Sequence, residues 1–338
     1  MPSAKRFNLK DFMLTYSIYF ILIAIIAMII IRNPKFAEWR PIRDVLAQSS
    51  VRIIVALGAM FIILGGTVDL SAGRQFGMYA LVAGSMLQTV EARNKFQTII
   101  NEPPILVGLL ITLAAALLIG FLNGSTVTYL RLPAFIGTLG VQFTILGVAS
   151  IYFAIEPNGS QPLAGFMENY KELGRGSLFG VDNGIPNILM IALVFCFLCH
   201  MVLTYTRFGK NLFAMGGNRE AARVSGIKVD HLTRVVYMTA ACFYAIAAFL
   251  EVARTGGATQ NYGLGYEFDA IVACVIGGVS IGGGVGAVPG VLIGVIMFTT
   301  ISYGLTFIGI MPYWQSIVRG VVIVAAVSID IQKYQKKT

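Results

Sequence analysis

LGGTVDLSAGRQFG, residues 64–77, breaks an otherwise apolar stretch with paired glycines and an aspartate. Before it the chain reads VRIIVALGAMFII (51–63), and after it MYALVAGSML (78–87). Glycines and a carboxylate do not interrupt such a run cheaply. A charge at mid-bilayer costs about 3 kcal/mol on insertion scales, so Asp69 requires a partner or a wet cavity. A second interruption lies in FDAIVACVIGGVSIGGGVGAVPG (268–290), where glycines and Pro289 take the same role at 277–290. Irregular backbone at membrane depth is tolerated only around protein or water, so paired breaks of this kind point to a transport path. Asp69 has a second reading as a cap for a helix starting near residue 70, and capping is the expected role of Asp269.

The rest of the chain supplies the membrane. Of 338 residues, 57% are hydrophobic and 12% charged, against roughly 25% charged in soluble domains. Apolar runs near the ~20 residues needed to span fall at about 14–31, 48–66, 75–92, 104–122, 134–155, 186–206, 234–253, 267–281, 286–308 and 314–330. The expected fold is therefore all-α: one polytopic membrane domain over 1–338, about ten transmembrane helices, with interrupted helices near 64–77 and 277–290. The first run follows Lys5, Arg6 and Lys10 and passes into Arg32 without a small-residue cleavage site, so it reads as a retained helix.

The net charge of +9 does not mark a nucleic-acid binder, because the basic residues cluster at helix ends. Their bias places both termini and residues 207–233 in the cytoplasm, and 156–185 outside as a loop with one short helix. Arg32, Lys35, Arg40 and Arg43 crowd an external loop against that rule and are expected to snorkel. Cys196, Cys199 and His200 spell C-x-x-C-H, the pattern of covalent haem attachment, but they sit inside FCFLCHMVLTY (195–205). Core packing is the better reading. No G-K-[ST] triplet occurs, since Gly209-Lys210 is followed by Asn211, so the chain does not hydrolyse ATP itself. His200 and His231 are the two histidines, too few and too far apart for zinc chemistry. No cofactor is called for.

One polar segment stands out, RFGKNLFAMGGNREAARVSGIKVD (207–230). Residues 218–226 read as a short helix with Asn218 as cap, Glu220 in the first turn and Gly226 as a left-handed stop. The glycines ahead of it are expected to let the chain turn sharply out of the sixth span. So short a helix does not hold alone in water. Its small face (Ala221, Ala222, Val224, Ser225), flanked by Arg219 and Arg223, suits a groove on an acidic-rimmed partner.

TRFGKNLFAMGGNREAARVSGIKV (206–229) resembles the coupling-helix region of permease subunits from the ribose and galactose branch of ATP-binding-cassette importers. DLSAGRQFG (69–77) is similar to their D-L-S motif. EVARTGGATQNYGLGYEFDAIVACVIGGVSIGGGVG (251–286) and YGLTFIGIMPYWQSIVRGVVIVAAVSID (303–330) are similar to their C-terminal blocks. Within the branch, AGRQ, CVIGGVS, YGLT and PYWQ stand closer to galactose/methyl-galactoside permeases than to ribose permeases. Val68 departs from the glycine expected before the aspartate.

The resemblance implies a bacterial inner-membrane permease working as a homodimer in the lipid bilayer. Its further partners are an ATPase subunit with two nucleotide-binding domains and a periplasmic sugar-binding protein. Gly217, Asn218, Glu220, Ala221, Ala222, Ser225 and Gly226 form the implied coupling helix, which switches the path through the sixth and seventh spans. Asp69, Ser71, Gln75, Asn123, Gln142 and Asn261, polar residues at or near helix ends and breaks, are the candidates to line a path for a neutral sugar. A ribose or other pentose permease, and a proton-coupled secondary transporter, remain as alternatives.

Overall fold

In the computed structural model, residues 9–92, 94–96, 101–178 and 184–311 are described, together with 313–314, 316–317, 320–322, 324–325 and 328; side chains are described from Phe20 onward. The regular structure of these residues is helical: α1 (Leu9–Arg32), α2 (Trp39–Leu64), α3 (Ala72–Met86), α4 (Ile105–Thr128), α5 (Ala134–Ala154), α6 (Glu168–Arg175), α7 (Asn187–Tyr205), α8 (Arg207–Gly217), α9 (Arg219–Val224), α10 (Val229–Thr255), α11 (Tyr266–Ile276) and α12 (Val288–Phe307). Described residues between 313 and 328 are helical as well; the chain's two ends lie outside the described residues.

Among the described residues, six helices are long and apolar enough to cross a bilayer: α2, α4, α5, α7, α10 and α12. The expected third and eighth spans are shorter than their apolar runs. α3 has 15 residues and α11 has 11, or about 22 and 16 Å at 1.5 Å per residue, against a hydrocarbon core of roughly 30 Å. Both are helices abutting a break. α2 stops at Leu64 and α3 starts at Ala72, while α11 stops at Ile276 and α12 starts at Val288. The two interruptions stand where the glycines put them.

Burial separates the centre from the rim. The apolar windows of α2 and α10 are 78% and 67% buried, whereas those of α4 and α5 are 22% buried. The outer faces carry exposed Leu106, Leu110, Phe121, Phe143, Ile151 and Phe197, a surface suited to acyl chains and unsuited to water. Between lipid-facing helices no hydrophobic drive exists, so close backbone packing must replace it. α4 meets α10 through Gly120 and Gly124: a Cβ on Gly120 would lie 2.7 Å from Met238 Cα, and one on Gly124 2.8 Å from Arg234 Cα. α11 and α12 approach in the same way through Gly277 and Gly290.

The 156–185 segment is not a loose connector. Its helix α6 packs along the end of α10, where the Tyr170 hydroxyl donates to the Phe249 carbonyl at 2.6 Å. Arg175 donates from Nε and Nη2 to the Arg254 and Thr255 carbonyls, both at 2.9 Å, and so caps the C-terminus of α10. Leu163 and Ala258 exchange backbone bonds at 2.9 and 3.0 Å. Residues 179–183 lie outside the described residues. Cys196 and Cys199 are buried in the central core while His200 on the same helix is exposed, so the C-x-x-C-H residues are split between core and surface.

Tyr170→Phe deletes one buried hydrogen bond and keeps the ring. We expect a loss of about 1 kcal/mol and a fall in Tm of roughly 2 °C, read by thermal unfolding in detergent. An unchanged Tm would mean that α6 is not held by this bond.

Candidate functional site

Two constellations arise from the breaks. In the first, the chain leaves α2 through Gly65 and Gly66, the latter at φ +73°. Val68 takes the pre-aspartate position, and its carbonyl accepts from the Tyr237 hydroxyl of α10 at 3.0 Å. Asp69 then turns inward. Its Oδ1 accepts from the Ser71 backbone N–H at 2.8 Å and from Ser71 Oγ at 2.5 Å. Its Oδ2 accepts from Gln75 Nε2 at 3.0 Å, which is also 2.8 Å from Ser71 Oγ. Gln75 Oε1 in turn accepts from the Tyr79 hydroxyl at 2.9 Å. From α4, Asn123 Nδ2 donates to Ser71 Oγ at 2.7 Å, and from α5, Thr138 Oγ1 accepts from Leu70 N–H at 3.1 Å.

The spacing explains the cluster. Ser71, Gln75 and Tyr79 recur every fourth residue, so they lie on one face of the helix start. Asn123 falls between Gly120 and Gly124, where α4 comes closest to its neighbours. Asp69 is 7% exposed, Gln75 1%, and Ser71 and Asn123 are fully buried. A buried carboxylate is tolerable only when its lone pairs are met; here the Ser71 backbone, Ser71 Oγ and Gln75 meet them. The carboxylate thus ties the opening turn of α3, as a cap does, and joins α3 to α4.

Four of the six residues named from sequence, Asp69, Ser71, Gln75 and Asn123, therefore belong to one closed network. Gln142 is half-buried on α5, and Asn261 is exposed between α10 and α11, where it accepts from Arg74 Nη1 at 3.3 Å. Tyr79, Thr138 and Tyr237 complete the network and carry no sequence signal of their own, because each stands inside an apolar run. Asp269 sits in the first turn of α11, but the cap position belongs to Gly265, at φ +83°.

The second constellation is the elbow between α7 and α10. Instead of a sharp glycine turn, the chain forms α8, opened by Thr206, whose side chain accepts from Gly209 N–H at 3.3 Å. Leu212 and Met215 bury its inner face; together with Phe208 they repeat at the spacing of one helical face, a signal the reading of 207–217 as a turn overlooked. α9 follows at once. Asn218 Oδ1 accepts from Ala221 N–H at 2.9 Å, Glu220 lies in the first turn, and Gly226 ends the helix at φ +86°.

Six residues do not make a self-supporting helix. α9 is held from within by Ala222, which is 4% exposed. Arg219 Nη2 donates to Thr233 Oγ1 at 3.1 Å, and Arg219 and Arg223 each reach Asp230 at 3.7 Å. Facing outward are Glu220, Ala221, Ser225 and Val224, the last 89% exposed. An aliphatic side chain so displayed takes little part in the packing of the bundle.

A bundle with an apolar exterior, two broken helices meeting buried polar groups, and a braced helix presented at one end is built as a membrane transport subunit. The chain belongs to the permease family described as branched-chain amino acid transport system / permease component, whose model matches residues 41–327. It is 43% identical to the galactose/methyl galactoside import permease protein MglC of Haemophilus influenzae, over 100% of both chains. It is 42% identical to the protein of that name in Escherichia coli K12, over 98% of each. The ribose import permease protein RbsC of E. coli K12 is 33% identical over 98% of each. No solved structure matches the chain.

Asp69→Asn replaces an acceptor by an amide that cannot receive both Ser71 and Gln75. We expect a destabilisation of about 2 kcal/mol, the range for hydrogen bonds to a charged group, measured by thermal unfolding in detergent. A Tm equal to that of the unmodified chain would show that the network does not hold α3.

Proposed function

We propose that the chain is the permease subunit of an ATP-binding-cassette importer that carries galactose or methyl galactoside into a bacterial cytoplasm. The observation that carries the sugar is the identity gradient: 42–43% to the galactose/methyl galactoside permeases of H. influenzae and E. coli K12 over essentially the whole chain, and 33% to the ribose permease of E. coli K12 over the same length. In this reading two copies form the path. One ATPase subunit with two nucleotide-binding domains engages them from inside, and a periplasmic sugar-binding protein delivers the cargo from outside.

The geometry supports each role. α9 is the cytoplasmic coupling helix, with Glu220, Ala221, Val224 and Ser225 offered to a cleft of the ATPase, and Gly217, Asn218 and Gly226 fixing its ends; Ala222 anchors it from behind. The basic residues Arg207, Lys210, Arg219, Arg223 and Lys228 suit an acidic rim. Both termini share that side, and 156–185 faces the binding protein. With α3 and α11 taken as short membrane segments beside α2 and α12, this reading keeps about ten membrane segments. Asp69, Ser71, Gln75 and Asn123 line the path when the network opens, with Gln142 and Asn261 toward its ends. Neutral, hydroxyl-rich cargo needs such amide and hydroxyl groups and no tight site, since recognition can rest with the binding protein.

Glu220→Trp or Ala221→Trp alters only exposed positions of α9, so the chain should remain in the membrane at normal abundance. We expect the ATPase subunit to be lost on purification and uptake of labelled galactose to fall to background. In the unmodified system, uptake should be competed by methyl galactoside and not by ribose; competition by ribose would favour a pentose importer. Undiminished uptake with no ATPase present would refute the assignment and favour a secondary transporter.

A further inference from the structure

Three glycine pairs from distant parts of the chain meet at one point. They are Gly65-Gly66 at the end of α2, Gly216-Gly217 at the end of α8, and Gly283-Gly284 between α11 and α12. The contacts of Gly66, Gly216, Gly283 and Gly284 are backbone to backbone. A Cβ on Gly283 would lie 2.8 Å from Gly66 Cα and 2.9 Å from Gly216 O, and one on Gly284 would lie 2.7 Å from Gly217 N. A Cβ on Gly216 would strike the Leu64 carbonyl and come within 2.5 Å of Gly284 N. The Gly284 N–H donates to the Leu64 carbonyl at 3.0 Å. Gly66, Gly283 and Gly284 hold left-handed φ of +73°, +87° and +70°.

The location gives the junction its meaning. Gly217 is followed directly by Asn218, the cap of α9. Gly66 stands just before Asp69, and Gly283-Gly284 form the second break. One arm thus carries the docking helix and the other two carry both interruptions of the bundle. Side-chain contacts can absorb small displacements by changing rotamer, whereas peptide groups in contact have no such slack. We propose that this glycine junction is the element that transmits movement of α9 to the two broken-helix loops as a single unit, with Gly216 and Gly284 as its positioning residues. It rests on the assignment of α9 as the ATPase-coupling helix, and it adds a direct route beside the one through α7 and α10.

The neighbouring Gly282 supplies the control. A Cβ there meets Ser280 Oγ at 3.6 Å, an ordinary contact. The test reconstitutes the chain with its cognate ATPase and sugar-binding subunits and reads three quantities: ATPase association, ATP hydrolysis stimulated by loaded binding protein, and galactose uptake. Gly216→Ala and Gly284→Ala should keep association and basal hydrolysis, while stimulation and uptake fall by about tenfold, within the range of an allosteric coupling. Gly282→Ala should behave as the unmodified chain. Should the first two fail to insert, Gly65→Ala is the milder wedge, since its Cβ meets the movable Met215 Cε at 3.1 Å and Leu212 Cδ1 at 3.3 Å.

A second measurement does not depend on wedges. Cysteines placed by Ala214→Cys, exposed on α8, and Gly282→Cys, bridged by a short flexible bis-maleimide, should leave uptake intact, because a unit that moves together tolerates being tied. Loss of uptake on bridging, full uptake in Gly284→Ala, or loss of ATPase association in parallel with uptake would each overturn the proposal. If the unmodified chain never associates with the ATPase, the functional assignment itself falls, and the transmission role with it.

Discussion

The hydrogen bond from Gly284 N–H to the Leu64 carbonyl joins the two places where the bundle departs from helix. Inside a bilayer an unmet peptide group costs several kcal/mol, so every break must find acceptors and donors within the protein. At the first break, Gly66 and Thr67 bond back to Ile63 and Ile62 at 2.9 and 3.2 Å, while Leu70 and Ser71 turn to Thr138 and Asp69. At the second, Gly278 and Val279 bond back to Val275 and Cys274, each at 2.9 Å, and Ser280 N–H reaches Val285. The Leu64 carbonyl in the last turn of α2 and the Gly284 amide ahead of α12 meet each other, so the two breaks are tied together through their own backbone.

That mutual dependence explains why the polar residues near the breaks are so enclosed. Asp69 is not a free charge but the acceptor that opens α3. Its donors come from its own turn, from Gln75, one turn on, and from the Asn123 amide at 3.4 Å, which also donates to the Ser71 hydroxyl. On the path role proposed for these residues, opening exchanges those donors for others of the kind that a hydroxyl-rich sugar or water supplies.

Much of this was legible in the sequence where the cause is local. The breaks follow from glycines and an aspartate inside apolar runs, and α9 follows from Asn218, Glu220 and Gly226 spaced for capping. α8 was not read, because Gly209, Gly216 and Gly217 suggested a turn, although Phe208, Leu212 and Met215 held a helical face. Asn123 stands out in the sequence for its polarity, yet its connection to Ser71 spans 52 residues and no periodicity encodes it. The glycine junction was invisible for the same reason. Each pair reads as flexibility on its own, and only the fold shows that three of them share one space, where a side chain on Gly216, Gly283 or Gly284 would collide.

α10 is fastened at both ends, and this bears on how movement can pass through the molecule. At one end Tyr170 and Arg175 of α6 bond the Phe249, Arg254 and Thr255 carbonyls, and Arg254 pairs with Glu251 at 2.8 Å. At the other, Asp230 and Thr233 hold Arg219 and Arg223 of α9. α9 and the long helix it precedes are therefore one body, clamped again by the 156–178 segment at its far end. On the coupling role proposed for α9, a push there would be carried with the start of α10 and would appear where that body meets something else. At the α8–α9 boundary that neighbour is bare backbone from both interruptions, since Gly216 packs against the Leu64 carbonyl and the Gly284 amide. Contact of this kind leaves less slack than side chains, which can change rotamer.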